Sequence, residues 1–211
     1  MDSYYILIDG VQTGPFTWYQ LTEMDVDVDT MIMPAVSNKW IKASDIPEFY
    51  EYFETKGIYF PTTDNLASFG SRLLAFVIDC IAIYILINII AIITVNALNI
   101  DVTKINIDSF KTLDATTRLL INVAVFILFT IYNTLFEISP TQGSIGKRIC
   151  KIIVVDADGR RLGFVNALLR NLYKFISQAV LYIGYLNILW DEHRQGWHDQ
   201  WARTYLIKRD R

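Results

Sequence analysis

Cysteine is nearly missing from this chain. Cys80 and Cys150 stand alone, one in an apolar run and one in a basic segment, with no CxxC and no metal-ligand spacing, which excludes a disulfide framework. Histidine is as scarce: His193 and His198 sit five apart with Asp199 adjacent, too few ligands for zinc, and no positioned Ser or Cys completes a nucleophilic triad. Gly146-Lys147 lacks the spaced first glycine and the preceding strand of a phosphate loop, so nucleotide binding is excluded. No paired carboxylates stand at workable spacing, and the chain is expected to be no enzyme and to need no cofactor or metal. The basic residues adjoin apolar segments, so they point to membrane-surface contact and not to nucleic acid. The opening MDSYYILIDG is short and acidic with no small-residue cleavage site, so no secretory signal is expected and the first span must direct its own insertion.

What the chain holds in quantity is apolar surface. Its hydrophobic fraction is 53%, with 12 Phe and 12 Tyr, and its organising run is Ser71 to Leu98, SRLLAFVIDCIAIYILINIIAIITVNAL. As a helix this run spans about 40 Å, more than the roughly 30 Å hydrocarbon core of a bilayer. Arg72 can sit at the headgroup level, but Asp79 cannot. A carboxylate there costs on the order of 3 kcal/mol, so it is expected to face protein or water rather than lipid. Charge is unevenly divided: residues 1–70 carry eleven acidic and three basic residues, net −8, and residues 71–211 carry eleven acidic and sixteen basic, net +5. Seventy residues suffice for one small domain.

In that first part, Tyr4 to Ile8 reads as a strand closed by an Asp9-Gly10 turn, and Gly14-Pro15 as a second turn. Phe16 to Met24 reads as a short helix packing through Trp18, Tyr19 and Leu21, and Met31 to Val36 as another strand. Ser37-Asn38 turns the chain before Trp40 and Ile41. Pro47 to Phe60 reads as a linker or short helix, and Pro61 to Ser71 as a polar hinge with a helix cap. The order YYILIDGVQTGPFTWYQL, then SNKWIKASDIP, resembles the small GYF-like domain often placed before bacterial membrane regions. The resemblance covers about residues 3–50 and is carried by Tyr4-Tyr5, Gly10, Gly14-Pro15, Phe16, Leu21 and Trp40; the Gly-Tyr-Phe run itself is replaced by PAVSNKW. It implies recognition of a proline-rich peptide in the polyproline mode, with Tyr4, Trp18 and Trp40 as peptide-binding residues. The same three read equally as core and packing positions.

A polar loop from Asn99 to Asp114, with Lys104, Asp108, Lys111 and a strand-like KINI, leads to a second apolar run, Leu119 to Ile138. Asn122 and Asn133 lie eleven residues apart, three helical turns, and share a face with Thr130. That stripe is expected to pair with Asn88 and Asp79, either as interhelical glue or as the lining of a hydrated path. Glu137 is expected at the membrane edge, where its charge is inexpensive. The segment QGSIGKR reads as an interfacial helix turn with Lys147 and Arg148 facing headgroups, followed by a strand KIIVV and a DADG turn. Leu162 to Trp190 carries Arg170 and Lys174, which leaves sixteen uninterrupted residues from Phe175: a tilted third span or a shallow helical hairpin.

Residues 69–208 resemble the RDD family of small membrane proteins. The matching pieces are Arg72 and Asp79 in RLLAFVID, the block QGSIGKRICKIIVVDADGR with Gly146, Lys147 and Arg148, then Leu169-Arg170 and His198-Asp199. The resemblance implies transport, with sodium–proton exchange linked to some members, and hence a monovalent cation or proton as ligand. Arg72 and Asp79 are seven apart, about 10 Å along the axis, so each needs another partner; Arg170 or Arg72 and the second-span polar groups are expected for Asp79. Asp199 and Arg148 are expected as surface anchors or gates.

The fold class expected is therefore a small α+β N-terminal domain followed by a polytopic α-helical membrane domain. The expected divisions are 1–52 as the GYF-like domain, 53–68 as a linker and 69–208 as the RDD-like region. Two functions stand open: a small cation or proton transporter of the bacterial inner membrane, and a non-transporting adaptor that recruits a protein or peptide partner. Either is expected to be multi-pass in the cell membrane, with the N-terminal domain cytoplasmic and with room for a homo-oligomer. The loop carrying Lys147, Arg148, Lys151, Arg160 and Arg161 sets the orientation.

Overall fold

The computed structural model describes residues 3–8, 10–99 and 114–209. Asp9 and the loop holding Lys104, Asp108, Lys111 and the expected KINI strand lie outside the described residues. The chain divides into two compact units: Met1–Pro61 with Val155–Arg160, and Thr62–Val154 with Arg161–Arg211.

The first unit is built on strands β1 (Tyr4–Ile8), β2 (Val11–Phe16), β3 (Met31–Pro34) and β4 (Ile41–Lys42), antiparallel in the order β2-β1-β3-β4. Alternation in β1 turns Tyr4 and Ile6 inward. Gly14-Pro15 does not make the expected turn but lies within β2. That strand is at the sheet edge, where a proline removes no ladder hydrogen bond. Gly14 has φ +140° and a Cβ there would lie 2.9 Å from the Tyr4 carbonyl oxygen, so only glycine fits the approach. Helix α1 (Trp18–Glu23) starts at a capping box between Thr17 and Gln20 and buries Leu21, while Tyr19, expected to pack, is 75% exposed. Pro47–Phe49 forms a 3-10 turn leading into α2 (Tyr50–Thr55), and Phe49, Tyr52 and Phe53 fill the core. This acidic, aromatic stretch is thus part of the small domain's interior. The Asp156–Gly159 turn joins the same unit through Tyr59 N donating to Gly159 O at 2.8 Å.

The second unit begins with α3 (Phe69–Ala97), capped by Ser68, whose hydroxyl accepts from Ser71 N. It continues through α4 (Ala115–Glu137), α5 (Ile145–Ile149), β5 (Ile152–Asp156, its last two residues counted with the first unit), α6 (Phe164–Ala179), α7 (Ile183–Leu186), α8 (Trp197–Trp201) and β6 (Thr204–Lys208). β5 and β6 form a two-stranded sheet, and Leu66 bridges to Ile207. The most apolar 18-residue windows of α3 and α4 have mean hydropathies of 2.7 and 2.1, yet only 11% and 17% of them is buried. A core helix of that apolarity would be covered. Lengths of about 43 and 35 Å and uncovered apolar side chains all round mark α3 and α4 as membrane-spanning candidates. Leu162 to Trp190 folds as a helical hairpin: α6 stops at Val180, Leu181 and Tyr182 take left-handed backbone angles, and α7 turns back.

Candidate functional site

Polar side chains from five segments of the second unit meet where α3 begins and α4 ends. On α3, Asp79 is 3% exposed and accepts three hydrogen bonds: Tyr132 Oη at 2.8 Å, Ser144 Oγ at 2.5 Å and Gly146 N at 2.7 Å. Neither Arg72, Arg170 nor Asn88 is its hydrogen-bond partner, contrary to expectation. Neutral donors hold it, two of them from the segment around α5. The approach depends on Gly146, because a Cβ there would lie 2.0 Å from the Ala75 carbonyl oxygen. That contact gives the QGSIGKR segment its physical meaning: its glycine lets α5 lie directly on α3.

One turn further along the cluster, Glu137 is fully buried rather than at an inexpensive edge. Lys147 Nζ donates to Glu137 Oε1 at 2.6 Å and to Asn133 Oδ1 at 3.1 Å. Arg170 Nη1 donates to the same carboxylate, and Asn171 Nδ2 reaches Glu137 Oε2 at 2.9 Å. Arg170, 1% exposed, also donates through Nε to Asp199 Oδ1 at 2.9 Å. Arg72 Nη1 completes the ladder on Asp199 Oδ2 at 2.9 Å. The order Lys147–Glu137–Arg170–Asp199–Arg72 alternates in sign along its whole length. With Asp79, three cations face three carboxylates. Lys147 is therefore turned inward instead of toward headgroups, and Asp199 is an interior residue instead of a surface anchor. Arg148 alone of that pair is exposed.

Burial would raise the Asp199 carboxyl, but His198, Arg170 and Arg72 beside it hold it well below the ordinary carboxylate range. The Arg170 guanidinium is likewise held charged against burial by Glu137 and Asp199. His198 follows burial: its imidazole is pushed down to about 3 and is neutral, with Ser177 Oγ 3.4 Å from Nδ1 and the Tyr185 ring 4.9 Å away. Lys174 is lowered to about 7 by burial and by Lys147; its Nζ rests on Asn171 Oδ1 at 2.5 Å.

The expected stripe divides. Thr130 and Asn133 are buried, but Asn122 and Asn88 are exposed, and Asn88 Nδ2 donates to Tyr84 O of its own helix. The face that faces the cluster runs through Thr130, Asn133, Thr134 and Glu137, a three- and four-residue spacing visible in the sequence. Tyr132, Ser144, Asn171 and Ser177 were not anticipated. For α6 the signal existed in Arg170, Asn171, Lys174 and Ser177, which share one helical face. In the first unit, Tyr4 is 5% exposed and packs edge-on against Phe49, so it is a core residue and no groove residue. Trp18 and Trp40 are half-buried, and Trp18 Nε1 donates to Glu48 O at 3.0 Å. Among the described residues no group of three or more His, Cys, Asp or Glu is set to hold a metal ion.

Two long apolar helices, tied at one end by a buried charge ladder and following a mixed α/β domain in the chain, define a membrane-associated protein. Residues 66–203 match the RDD family, and the chain belongs to it. Residues 4–49 match GYF domain 2, so the N-terminal domain is GYF-like. Membership of the RDD family is consistent with a membrane protein that is not an enzyme. The chain is also 30% identical over 149 residues, 65% of its length, to a protein of Mycobacterium leprae (strain TN) called proline-rich antigen. It spans 59% of that relative's own length. No solved structure matches the chain.

Proposed function

We propose that this protein is a multi-pass membrane adaptor, in which the buried ladder locks the membrane region into a fixed scaffold and the GYF-like domain recruits a protein partner. The observation that carries this reading is saturation. Asp79, Glu137 and Asp199 each already accept from two or more donors, so none presents a free oxygen to a travelling cation. The Trp18–Tyr19 pair, half-buried Trp18 and exposed Tyr19 with ring centroids 5.2 Å apart, is the surface this reading gives to a proline-rich segment, with half-buried Trp40 as a further candidate. Met1–Pro61, whose core includes Phe53, acts as the recruiting module, and the membrane domain follows from Thr62. Arg148, Lys151 and Arg161 favour a cytoplasmic placement for this end of the spans and for the module, at the cell membrane. Asn88 and Asn122, exposed on apolar helices, favour a homo-oligomer that covers them.

A second reading, carriage of a proton or monovalent cation, is favoured by one observation. Two of the three groups on Asp79 are hydroxyls, which can turn from donor to acceptor if the carboxyl takes a proton. Purified full-length protein in liposomes with a pH dye separates the readings, assayed with sodium, potassium and no added cation. Flux at the level of empty liposomes is expected. Cation-dependent flux that Asp79→Asn abolishes at matched protein density would replace the adaptor with the carrier.

A further inference from the structure

At the end of α4, Phe136, Thr141, Gly143, Ile145, Arg148 and Ile149 line a half-open cavity of about 330 Å³. Its chemistry is divided. Phe136, Ile145 and Ile149 supply an apolar wall, with Ile145 41% and Ile149 63% exposed one turn apart on α5. Arg148 supplies a cation that makes no ion pair or side-chain hydrogen bond among the described residues. Its neighbour Lys147 is buried on Glu137, so this short helix sends one cation into the ladder and leaves the next outside, unmatched.

The cavity's level in the bilayer follows from α4. Phe136 is one residue from the end of a helix long and apolar enough to cross a membrane, so the cavity lies where hydrocarbon gives way to headgroups. An occupant suited to both halves joins an anionic group to an apolar chain. A free phosphate would gain nothing from the apolar wall, and a peptide would leave backbone groups unpaired against it. A zwitterionic headgroup brings its own ammonium close to Arg148, and Lys151, exposed three residues on, adds to the positive field.

We propose that this cavity is a binding site for an anionic phospholipid, its phosphate on Arg148 and the first methylenes of one acyl chain against Ile145, Ile149 and Phe136. The site holds the glycerophosphate end and leaves the rest of the lipid in the bilayer. It requires α4 to enter a membrane and is independent of whether the protein moves an ion or recruits a partner.

Full-length protein in detergent, given phosphatidylglycerol or phosphatidylcholine, can be read by native mass spectrometry as retained lipid per protein. Wild type is expected to keep phosphatidylglycerol over phosphatidylcholine by about fivefold, the worth of one cation near an anionic headgroup. R148Q should lose that preference with no change in melting temperature, because the guanidinium has no internal partner to lose. R161Q, the same charge change at another exposed arginine, should keep it. I149D should lower retention of both lipids by spoiling the apolar wall. Equal retention of the two lipids by wild type would overturn the proposal. So would R148Q keeping the wild-type preference, or R161Q lowering it as much as R148Q does. A melting temperature that falls in R148Q would overturn it too, since Arg148 would then be an internal brace.

Discussion

Arg170→Met tests the ladder at its centre. The guanidinium is 1% exposed and bridges two carboxylates, Glu137 on one side and Asp199 on the other. Methionine fills much of the same space, so the change removes charge and hydrogen bonds with little loss of volume. Glu137 keeps Lys147 and Asn171, and Asp199 keeps Arg72 and the Gly196 amide, so neither acid is stripped bare. The loss is therefore set at the lower end of the range for breaking a buried pair, about 3 kcal/mol. For a chain of this size that is a fall in melting temperature of about 10 °C, read by thermal unfolding in detergent. The sign of a second variant is the sharper test. Arg170→Met leaves two cations facing three carboxylates, and adding Asp199→Asn restores two against two. If uncompensated buried charge is the cause, the double variant is more stable than Arg170→Met alone, although it has lost more hydrogen bonds. A double variant that melts lower than the single one would refute the reasoning and would make the ladder a matter of shape rather than charge balance.

Gly146→Ala should abolish a monodisperse folded species in size-exclusion chromatography, because its Cβ would lie 2.0 Å from Ala75 O, whereas Gly163→Ala, with nothing within 4 Å, should behave as wild type. His198 predicts a pH dependence: its folded-state value of about 3 lies below its ordinary 6.5, so between them the unfolded chain binds the extra proton and stability falls as pH falls. The slope is about 1.4 kcal/mol per pH unit below pH 6, and His198→Gln should flatten the melting-temperature profile between pH 6.5 and 4.5; an unchanged profile would count against a neutral buried imidazole.

What was legible beforehand follows the range of the interactions. The two apolar runs, the β1 strand, a cap before α3 and the β5 strand all show in local pattern, since periodicity and caps act over a few residues. Glu137 is the opposite case. Its position at the end of an apolar run says "edge", and only the partners Arg170 and Lys147, 33 and 10 residues away in sequence, turn that edge into an interior. Lys147 and Arg148 show the limit at its narrowest. Adjacent basic residues on a helix point to different sides, so one had to leave the headgroups, and no local rule says which. The cost of a carboxylate in lipid singles out Asp79, but two of its three donors come from a segment 65 and 67 residues on, which no local pattern links to it.

The ladder also constrains the membrane topology. Arg72 lies in the first turn of α3, Glu137 is the last residue of α4, and both reach Arg170 or its partner Asp199, so the two apolar helices run antiparallel with these ends at one level. Arg170 is near the middle of α6, which at 16 residues is about 24 Å long, short of the roughly 30 Å hydrocarbon core. Asp199 on α8 meets the same guanidinium, so the chain leaves this level with α6, reverses after Val180 and comes back to it. A third complete span would carry α8 to the far side and break every ion pair Asp199 makes. The tail is thus expected on the same side as the α3 start. In a background with Cys80 and Cys150 replaced by serine, Lys208→Cys should resist an impermeant thiol reagent in intact cells and react once the membrane is opened. Ready labelling of Lys208→Cys from outside, with Lys39→Cys in the same background protected, would put three full spans between them and sink the hairpin.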